Sequence, residues 1–204
     1  MENIELLKKE LSKIDVELSK DKLDKLESYV EMLIKWNKTY NLVGKSTLDN
    51  IYTRHVLDSL QLIPFLKSNI KILDFGAGAG IPSVILAIVK EDMEFTVCER
   101  IGKKCQFLNQ VRRELKLENF KVIQDDVRTI KDNFDVITCR AVATIEEILN
   151  LTVDIKQKDQ FYLLLKGRMY KEELNRLKEL EIDFKEVIHP SVVEDDSVIL
   201  ELIV

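Results

Sequence analysis

Ile72-Leu73-Asp74-Phe75-Gly76-Ala77-Gly78-Ala79-Gly80-Ile81-Pro82 joins an apolar run to three alternating glycines and a proline. The run Ile72-Leu73 reads as a strand of a parallel sheet, because such strands are covered on both faces and lose the apolar-polar alternation. Glycines at every second position permit positive φ and let the backbone approach a ligand closely. Pro82 suits the first turn of a helix, where its missing N–H costs nothing. Strand, glycine turn and helix start, in that order, aim unpaired amides at whatever binds there. The stretch predicts a nucleotide-cofactor loop.

Spacing decides which cofactor. The dinucleotide pattern G-x-G-x-x-G, counted from Gly76, needs a glycine where this chain has Ile81; counted from Gly78 it meets Ser83. Asp74, two residues ahead of the first glycine, is placed to hold an amino group or a bridging water of a cationic ligand. Glu99 ends the next apolar run, Phe95-Thr96-Val97-Cys98, about twenty residues beyond the loop, where an acid accepts both ribose hydroxyls. An acid before the loop and a ribose acid after it favour S-adenosylmethionine over a nicotinamide.

From residue 70 onward, apolar runs at 71–75, 94–98, 120–123, 134–138 and 161–165 alternate with helical patterns. That alternation predicts a doubly wound α/β fold with a mostly parallel sheet and helices on both faces. One such helix, at 103–116, turns Phe107, Leu108, Val111 and Leu115 inward and Arg112 and Arg113 outward. Another is expected at 171–180. Two further runs, 183–188 and 198–203, are too close for a crossover and read as an antiparallel C-terminal hairpin, giving seven strands. The hairpin distinguishes a methyltransferase sheet from the plain dinucleotide version.

Residues 1–66 read differently, as a small N-terminal helical module. Ile4, Leu7, Leu11, Ile14 and Leu18, then Leu23, Leu26, Val30 and Leu33, recur three and four apart. A third helix is expected at 48–62, with a polar and aromatic turn at 36–44 before it. The stripes are expected to pack on each other and on the sheet domain, 67–204.

Composition bounds the rest. With 204 residues the chain can bury one full core, and 46% hydrophobic with 33% charged residues describes an ordinary globular protein. Cys98, Cys105 and Cys139 show no CxxC spacing and only His55 and His189 could join them, so no metal site is expected. No apolar run reaches a membrane span, and the acidic start lacks a basic and then apolar leader, so the expectation is a cytoplasmic monomer. A formal charge of −5 argues mildly against nucleic acid, but affinity follows local patches. Lys103-Lys104, Arg112-Arg113, Arg128, Arg140 and Lys166-Gly167-Arg168 all follow the glycine loop, several near strand ends, and this shared location raises an RNA reading, with Lys103 and Lys104 expected farther from the reaction centre as phosphate contacts.

Four segments carry a family resemblance: Trp36-Asn37-Lys38 with Asn41-Leu42; Arg54-His55-Val56-Leu57-Asp58-Ser59-Leu60; the loop from Asp74 to Pro82 with Gly102-Lys103-Lys104 and Phe107-Leu108; and Cys139-Arg140-Ala141 with Leu165-Lys166-Gly167. In this order and spacing, the chain from about Trp36 resembles the GidB/RsmG family, the small-subunit (16S) ribosomal RNA guanine-N7 methyltransferases. The resemblance implies the Rossmann-like fold of the S-adenosylmethionine-dependent enzymes. It also implies ribosomal RNA as partner and a cofactor site at Gly76 and Ile81, at the backbone of Val127 and Arg128, and at Arg140. Gly78 and Glu99 join that site on the loop and ribose arguments. The chain departs from the family at Ala79, where proline is common, at Cys139, where serine is common, and at Arg128, where many members carry an acid that Asp125 or Asp126 would supply here.

Methylation of guanine N7 needs no general base, because N7 carries a free lone pair, and no Asn-Pro-Pro-Tyr-like segment for amino-group methylation is present. Arg140, just after the fourth strand, is the expected catalytic side chain, positioned for RNA phosphate, guanine edge or cofactor carboxylate. Cys139 reads as a small buried thiol rather than a nucleophile. His55 suits either a phosphate contact or a tie between module and sheet, and Trp36 a packing anchor. Competing readings are methyl transfer to a small molecule or protein, a nicotinamide oxidoreductase, and a non-catalytic RNA-binding protein on the same fold.

Overall fold

The computed structural model describes residues 2–155 and 160–204, with side chains from residue 7 onward. Seven strands, β1 (Lys71–Phe75), β2 (Glu94–Cys98), β3 (Phe120–Ile123), β4 (Val136–Thr138), β5 (Phe161–Lys166), β6 (Lys185–Pro190) and β7 (Val198–Ile203), form one sheet in the order β3-β2-β1-β4-β5-β7-β6. The first five run parallel, with Leu73 beside Thr96 and Ile137. β7 inserts antiparallel between β5 and β6, pairing Leu200 with Leu164 and Ile188. The strand order reverses between β1 and β4, and ligands in such sheets bind at the carboxyl ends flanking that reversal.

Alternation along each strand splits the core in two. Ile72, Phe95, Val97 and Phe120 face helices α4 (Ser83–Val89) and α5 (Gly102–Glu114), whereas Leu73, Phe75, Ile137, Leu164 and Leu200 face α6 (Ile145–Leu151) and α7 (Tyr170–Glu179). The α6 start is closed by a capping box, Thr144 with Glu147.

All seven residues of α4 are buried. A helix apolar all round needs cover on its outer side as well as against the sheet, and α2 (Lys20–Tyr40) supplies it through Leu23, Leu26, Val30 and Leu33. Burying each such aliphatic side chain stabilises by about 1.5–3 kcal/mol. Polar ties fix the register. Lys22 Nζ donates to the carbonyl of Val89 at 2.7 Å, a cation at a helix C-terminus, and Asn119 Nδ2 reaches the carbonyls of Ala87, Lys90 and Met93. The N-terminal helices therefore complete the same core as the α4 face of the sheet.

Several boundaries differ from the sequence reading. The first stripe is helical only as α1 (Glu2–Leu11), then tightens into a 3-10 turn and breaks at Asp15 in the left-handed region; the side chain of Ile4 lies outside the described residues. Helix α2 continues through Trp36 and Tyr40, where a turn was expected. It ends at Asn41, whose φ of 47° and backbone N–H to Asn37 cap the last turn. The expected helix at 48–62 is instead a π-helical segment, Tyr52–Leu57, leading into the single turn α3 (Asp58–Leu60). Strand β4 starts two residues late, at Val136, with Phe134 still buried in the α6–α7 core, and β6 is shifted toward Pro190 by its register with Val198.

Candidate active site

Backbone builds the β1–β2 side of the site. Gly76, Gly78 and Gly80 all have positive φ, but their surroundings differ. A Cβ on Gly80 would lie 2.3 Å from Val84 Cγ2 and 2.8 Å from Leu108 Cδ2, so Gly80 lets α4 and α5 close on the loop. A Cβ on Gly78 would meet only Gly76 O at 3.8 Å and Lys104 Nζ at 4.0 Å. The bare backbone turned toward the cleft is thus at Gly78. Its amide donates to Glu99 Oε2 at 3.0 Å, and the Ile101 amide to Oε1 at 2.9 Å. Both carboxylate oxygens are fixed, and each retains a further lone pair for a ligand hydroxyl.

Behind the loop, Asp74 is wholly buried facing the Ser83 hydroxyl, with neither carboxylate oxygen in a formed hydrogen bond. Burial pushes its carboxyl up to about 7, against the pull of the Ser83 hydroxyl and amide, with Glu99 adding to the rise. Tyr29 of α2 donates to the Ala79 carbonyl at 2.9 Å, tying the helical module to the loop.

Three cavities adjoin along the carboxyl edge. One of about 360 Å³ is lined by Gly76, Glu99, Lys104, Asp126, Val127 and Arg128. The next, about 380 Å³, is lined by Gly76, Gly78, Ile81, Lys104, His55 and Arg140. A third, about 400 Å³, lies past Arg140 among Arg54, Val142, Lys166, Met169 and Glu173. Ala141 lines all three and holds a φ of 54°. A non-glycine residue in that region stores backbone strain, which clusters at functional sites.

At the far wall of the first cavity Asp126 caps the turn Val127–Thr129. Its Oδ1 accepts from the Arg128 amide at 3.0 Å and from Nε at 2.8 Å, and its Oδ2 from Nη2 at 2.8 Å. The arginine clasp holds the partly exposed Asp126 carboxyl well below the usual carboxylate range. The Arg128 main chain, expected to face a cofactor, is thus engaged by Asp126, one of the two acids expected to supply a carboxylate here.

Arg140 ends β4 through a bridge to Leu165. Its Nη1 donates to His55 Nδ1 at 2.8 Å and its Nη2 to the Arg54 carbonyl at 2.8 Å, and Nη2 pairs with Asp58 Oδ2 at 3.1 Å. A guanidinium only donates, so His55 Nδ1 must accept and its Nε2 carries the proton, donated to Thr47 Oγ1 at 2.9 Å. Burial and the neighbouring Arg140 charge push His55 down to about 4, so it is neutral at pH 7. Of its two sequence readings, the structure shows the tie between module and sheet. Arg140 lines the second and third cavities while serving as the centre of that tie.

Other expectations shift. Lys104, expected to lie away from the reaction centre, lines the first two cavities over Gly78; its neighbour Lys103 turns instead toward the Tyr40 ring. Arg112 and Arg113 sit in the last turn of α5, which runs back antiparallel to the strands, so they leave the carboxyl edge on which the other cations gather. Trp36 is the expected anchor: it packs on Phe107 and donates to Gln110 Oε1 at 3.1 Å. Cys139 is buried and desolvation pushes its thiol up to about 12. Glu173 and Val142 escaped the sequence reading as cavity residues, since no motif links β4 to α7, and Lys166 was legible there only as a cation near a strand end.

A family profile described as rRNA small subunit methyltransferase G matches residues 22–199. The protein named ribosomal RNA small subunit methyltransferase G from Ruthia magnifica subsp. Calyptogena magnifica is 35% identical over 164 residues, 79% of this chain and 80% of that protein. Its namesake from Pseudomonas aeruginosa (strain LESB58) is 38% identical over 168 residues, 81% of this chain and 78% of that protein. Among solved structures, a fibrillarin/Nop5p complex aligns with a TM-score of 0.58 at 20% identity, covering 74% of this chain and 82% of that one. Aeropyrum pernix fibrillarin, with natively bound S-adenosyl-L-methionine, aligns at 0.53 and 15% identity, covering 67% of each. These structural likenesses concern the fold of methyltransferases. With the profile and both relatives spanning most of its length, the chain belongs to the rRNA small subunit methyltransferase G family.

Proposed function

We propose that this chain transfers the methyl group of S-adenosylmethionine to N7 of a specific guanine in small-subunit (16S) ribosomal RNA. The observation that carries the reading is the run of cavities from Asp126 past Glu99 and Gly78 to Ala141, at the carboxyl edge of the sheet where the strand order reverses. The residues fit the cofactor: Glu99 presents a pre-oriented carboxylate for a diol, Asp126 a second acceptor, and Gly78 an unobstructed main chain. Bound there, S-adenosylmethionine supplies a methyl already activated on a sulfonium.

The chain's own task is then alignment. N7 has no proton to lose, so no residue need act as base, and holding the reactants in line can supply roughly 7–11 kcal/mol of the barrier. In this reading residues 1–66 are a helical module that walls the cleft of a methyltransferase domain, 67–204. Arg140 sets that wall by holding His55, Asp58 and the Arg54 carbonyl, and its guanidinium lies beside the reacting groups. The exposed cations Arg54, Arg100, Arg128 and Arg168 rim the cavities despite the net charge of −5. Phosphate contacts of that kind make binding weaken steeply with salt.

The test is labelled S-adenosylmethionine with unmodified small-subunit RNA, followed by nucleoside analysis and by borohydride and aniline treatment. N7-methylguanosine and strand cleavage are expected; a methylated pyrimidine without cleavage would overturn the reading. Cys139→Ser should retain most activity, because the buried thiol forms no bond to substrate. Complete loss with cofactor still bound would restore a covalent pyrimidine route.

A further inference from the structure

We propose that the third cavity, beyond Val142, receives the target guanine, and that Lys166 and Glu173 at its base read the O6 and N1–H edge of the ring. The inference rests on the guanine-N7 reading and adds to it which groups choose the base.

Place is the first argument. The cavity opens at the carboxyl ends of β4 and β5 and shares Ala141 and Val142 with the cavity that holds Glu99, so a ring lying in it abuts the cofactor cleft. At about 400 Å³ it falls within the range of ligand pockets. An enzyme acting on a base extrudes it into a pocket, where side chains read its pairing edge and flank its faces. Val142 is 40% exposed and Met169 55% exposed at this cavity. Two large apolar side chains left exposed along a cavity that also holds an ion pair suit the faces of a ring.

Chemistry is the second. Lys166 Nζ lies 2.7 Å from Glu173 Oε2 and donates to the Ala143 carbonyl at 3.1 Å, while Oε2 also accepts from the Ile145 amide at 2.8 Å. An ammonium has three protons, so one remains. Among the described residues nothing bonds Glu173 Oε1. The pair thus offers a donor beside an acceptor, held rigidly by main chain on both sides. Guanine presents the complement, a keto oxygen beside N1–H. Adenine presents the reverse, an amino group beside a bare N1, and leaves both protein groups opposed by like partners, the arrangement that rejects analogues most strongly.

A purely structural role, stapling β5 to α6 and α7, would stabilise the fold without regard to the base. The experiment separates the two. Once strand cleavage has located the methylated position, RNAs carrying guanosine, inosine, 2-aminopurine or adenosine there are compared, since all four rings keep N7. Inosine, which retains O6 and N1–H, should be methylated within about threefold of guanosine, and 2-aminopurine and adenosine at least about tenfold less efficiently. The same order should hold for RNA affinity measured with S-adenosylhomocysteine. Glu173→Gln and Lys166→Met should each narrow the gap between inosine and 2-aminopurine, with affinity for S-adenosylhomocysteine retained. If the unaltered protein treats 2-aminopurine like guanosine, or both variants lose activity with the gap intact, the inference is wrong while the N7 reading stands. If no N7-methylguanosine forms on natural RNA, the N7 reading itself falls, and this inference with it.

Discussion

Around β1 and β2 the cleft is made of backbone, and around β4 and β5 it is made of side chains. On the first side, the amides of Gly78 and Ile101 hold Glu99, and the loop conformation does most of the shaping. On the second, Arg140 gathers His55, Asp58 and the Arg54 carbonyl from a segment more than eighty residues away, and Lys166 meets Glu173 across β5 and α7. Backbone geometry is encoded locally and tolerates few residues. A side-chain constellation is encoded by distant positions, each of which looks ordinary alone.

The largest expected effect lies on the backbone side. Gly80→Val places a branched side chain into Val84 and Leu108 at a φ of 84°. Overpacking and left-handed strain together should cost about 2–5 kcal/mol, measured by denaturant unfolding. If Gly80→Val matches the parent's stability, the loop does not depend on close packing, and the contrast between the two sides weakens.

Next comes Arg140→Ala, which strips a mostly buried Asp58 of its cation and opens the tie to the helical module. Leaving a buried charge unpaired is costly, and after discount for the 24% exposure of Arg140 the loss should be about 2–3 kcal/mol, with transfer to RNA strongly reduced. Adding Asp58→Asn should recover part of the stability but not the transfer. A variant fully active on RNA would place the reacting centre elsewhere.

Glu99→Ala tests the first side by binding instead of folding. It removes a charge-assisted contact, and affinity for S-adenosylhomocysteine should fall by about 1.5–3 kcal/mol in calorimetry. Unchanged affinity would mean that the acid at the end of β2 holds only the loop amides.

The same contrast explains what could be read from sequence. The runs 71–75, 94–98 and 120–123 match the strands residue for residue, because buried parallel strands flanked by glycine or polar turns have few alternative readings. Glu99 was legible from its distance to the loop. What escaped depended on contacts across the chain. The π-helical segment that turns His55 and Asp58 toward Arg140 leaves no mark in a three-and-four pattern, and Asn41 ended a helix that the aromatic run seemed to end sooner. The position of Arg140 at a strand end was legible, yet its partners there were not. Lys104 was misplaced because helix spacing says which face a residue takes but not how far the first turn of α5 leans over the loop.

A pH profile brings in one titrating group from each side. Asp74 keeps a proton up to about pH 7 in the folded protein, against 3.8 for the ordinary carboxyl. Between those values the native state holds a proton that the unfolded chain has lost, so this group lowers stability progressively as pH rises through the window. His55 works the other way. The unfolded imidazole takes up a proton below 6.5, while the native one refuses it until about 4, so stability falls as pH falls between those values. The two trends oppose and should flatten the parent's profile from pH 4 to 6.5. Asp74→Asn removes one of them. Its melting temperature, compared with the parent's, should gain steadily from pH 4 to 7 and then level, by about 2–4 °C for each kcal/mol of change. Within the variant, the remaining decline below pH 6.5 should then belong to His55, and a further His55→Gln change should flatten it. Parallel profiles for parent and Asp74→Asn would show that the carboxyl behind the glycine loop does not hold its proton through this window, and the opposition between the two groups would be lost.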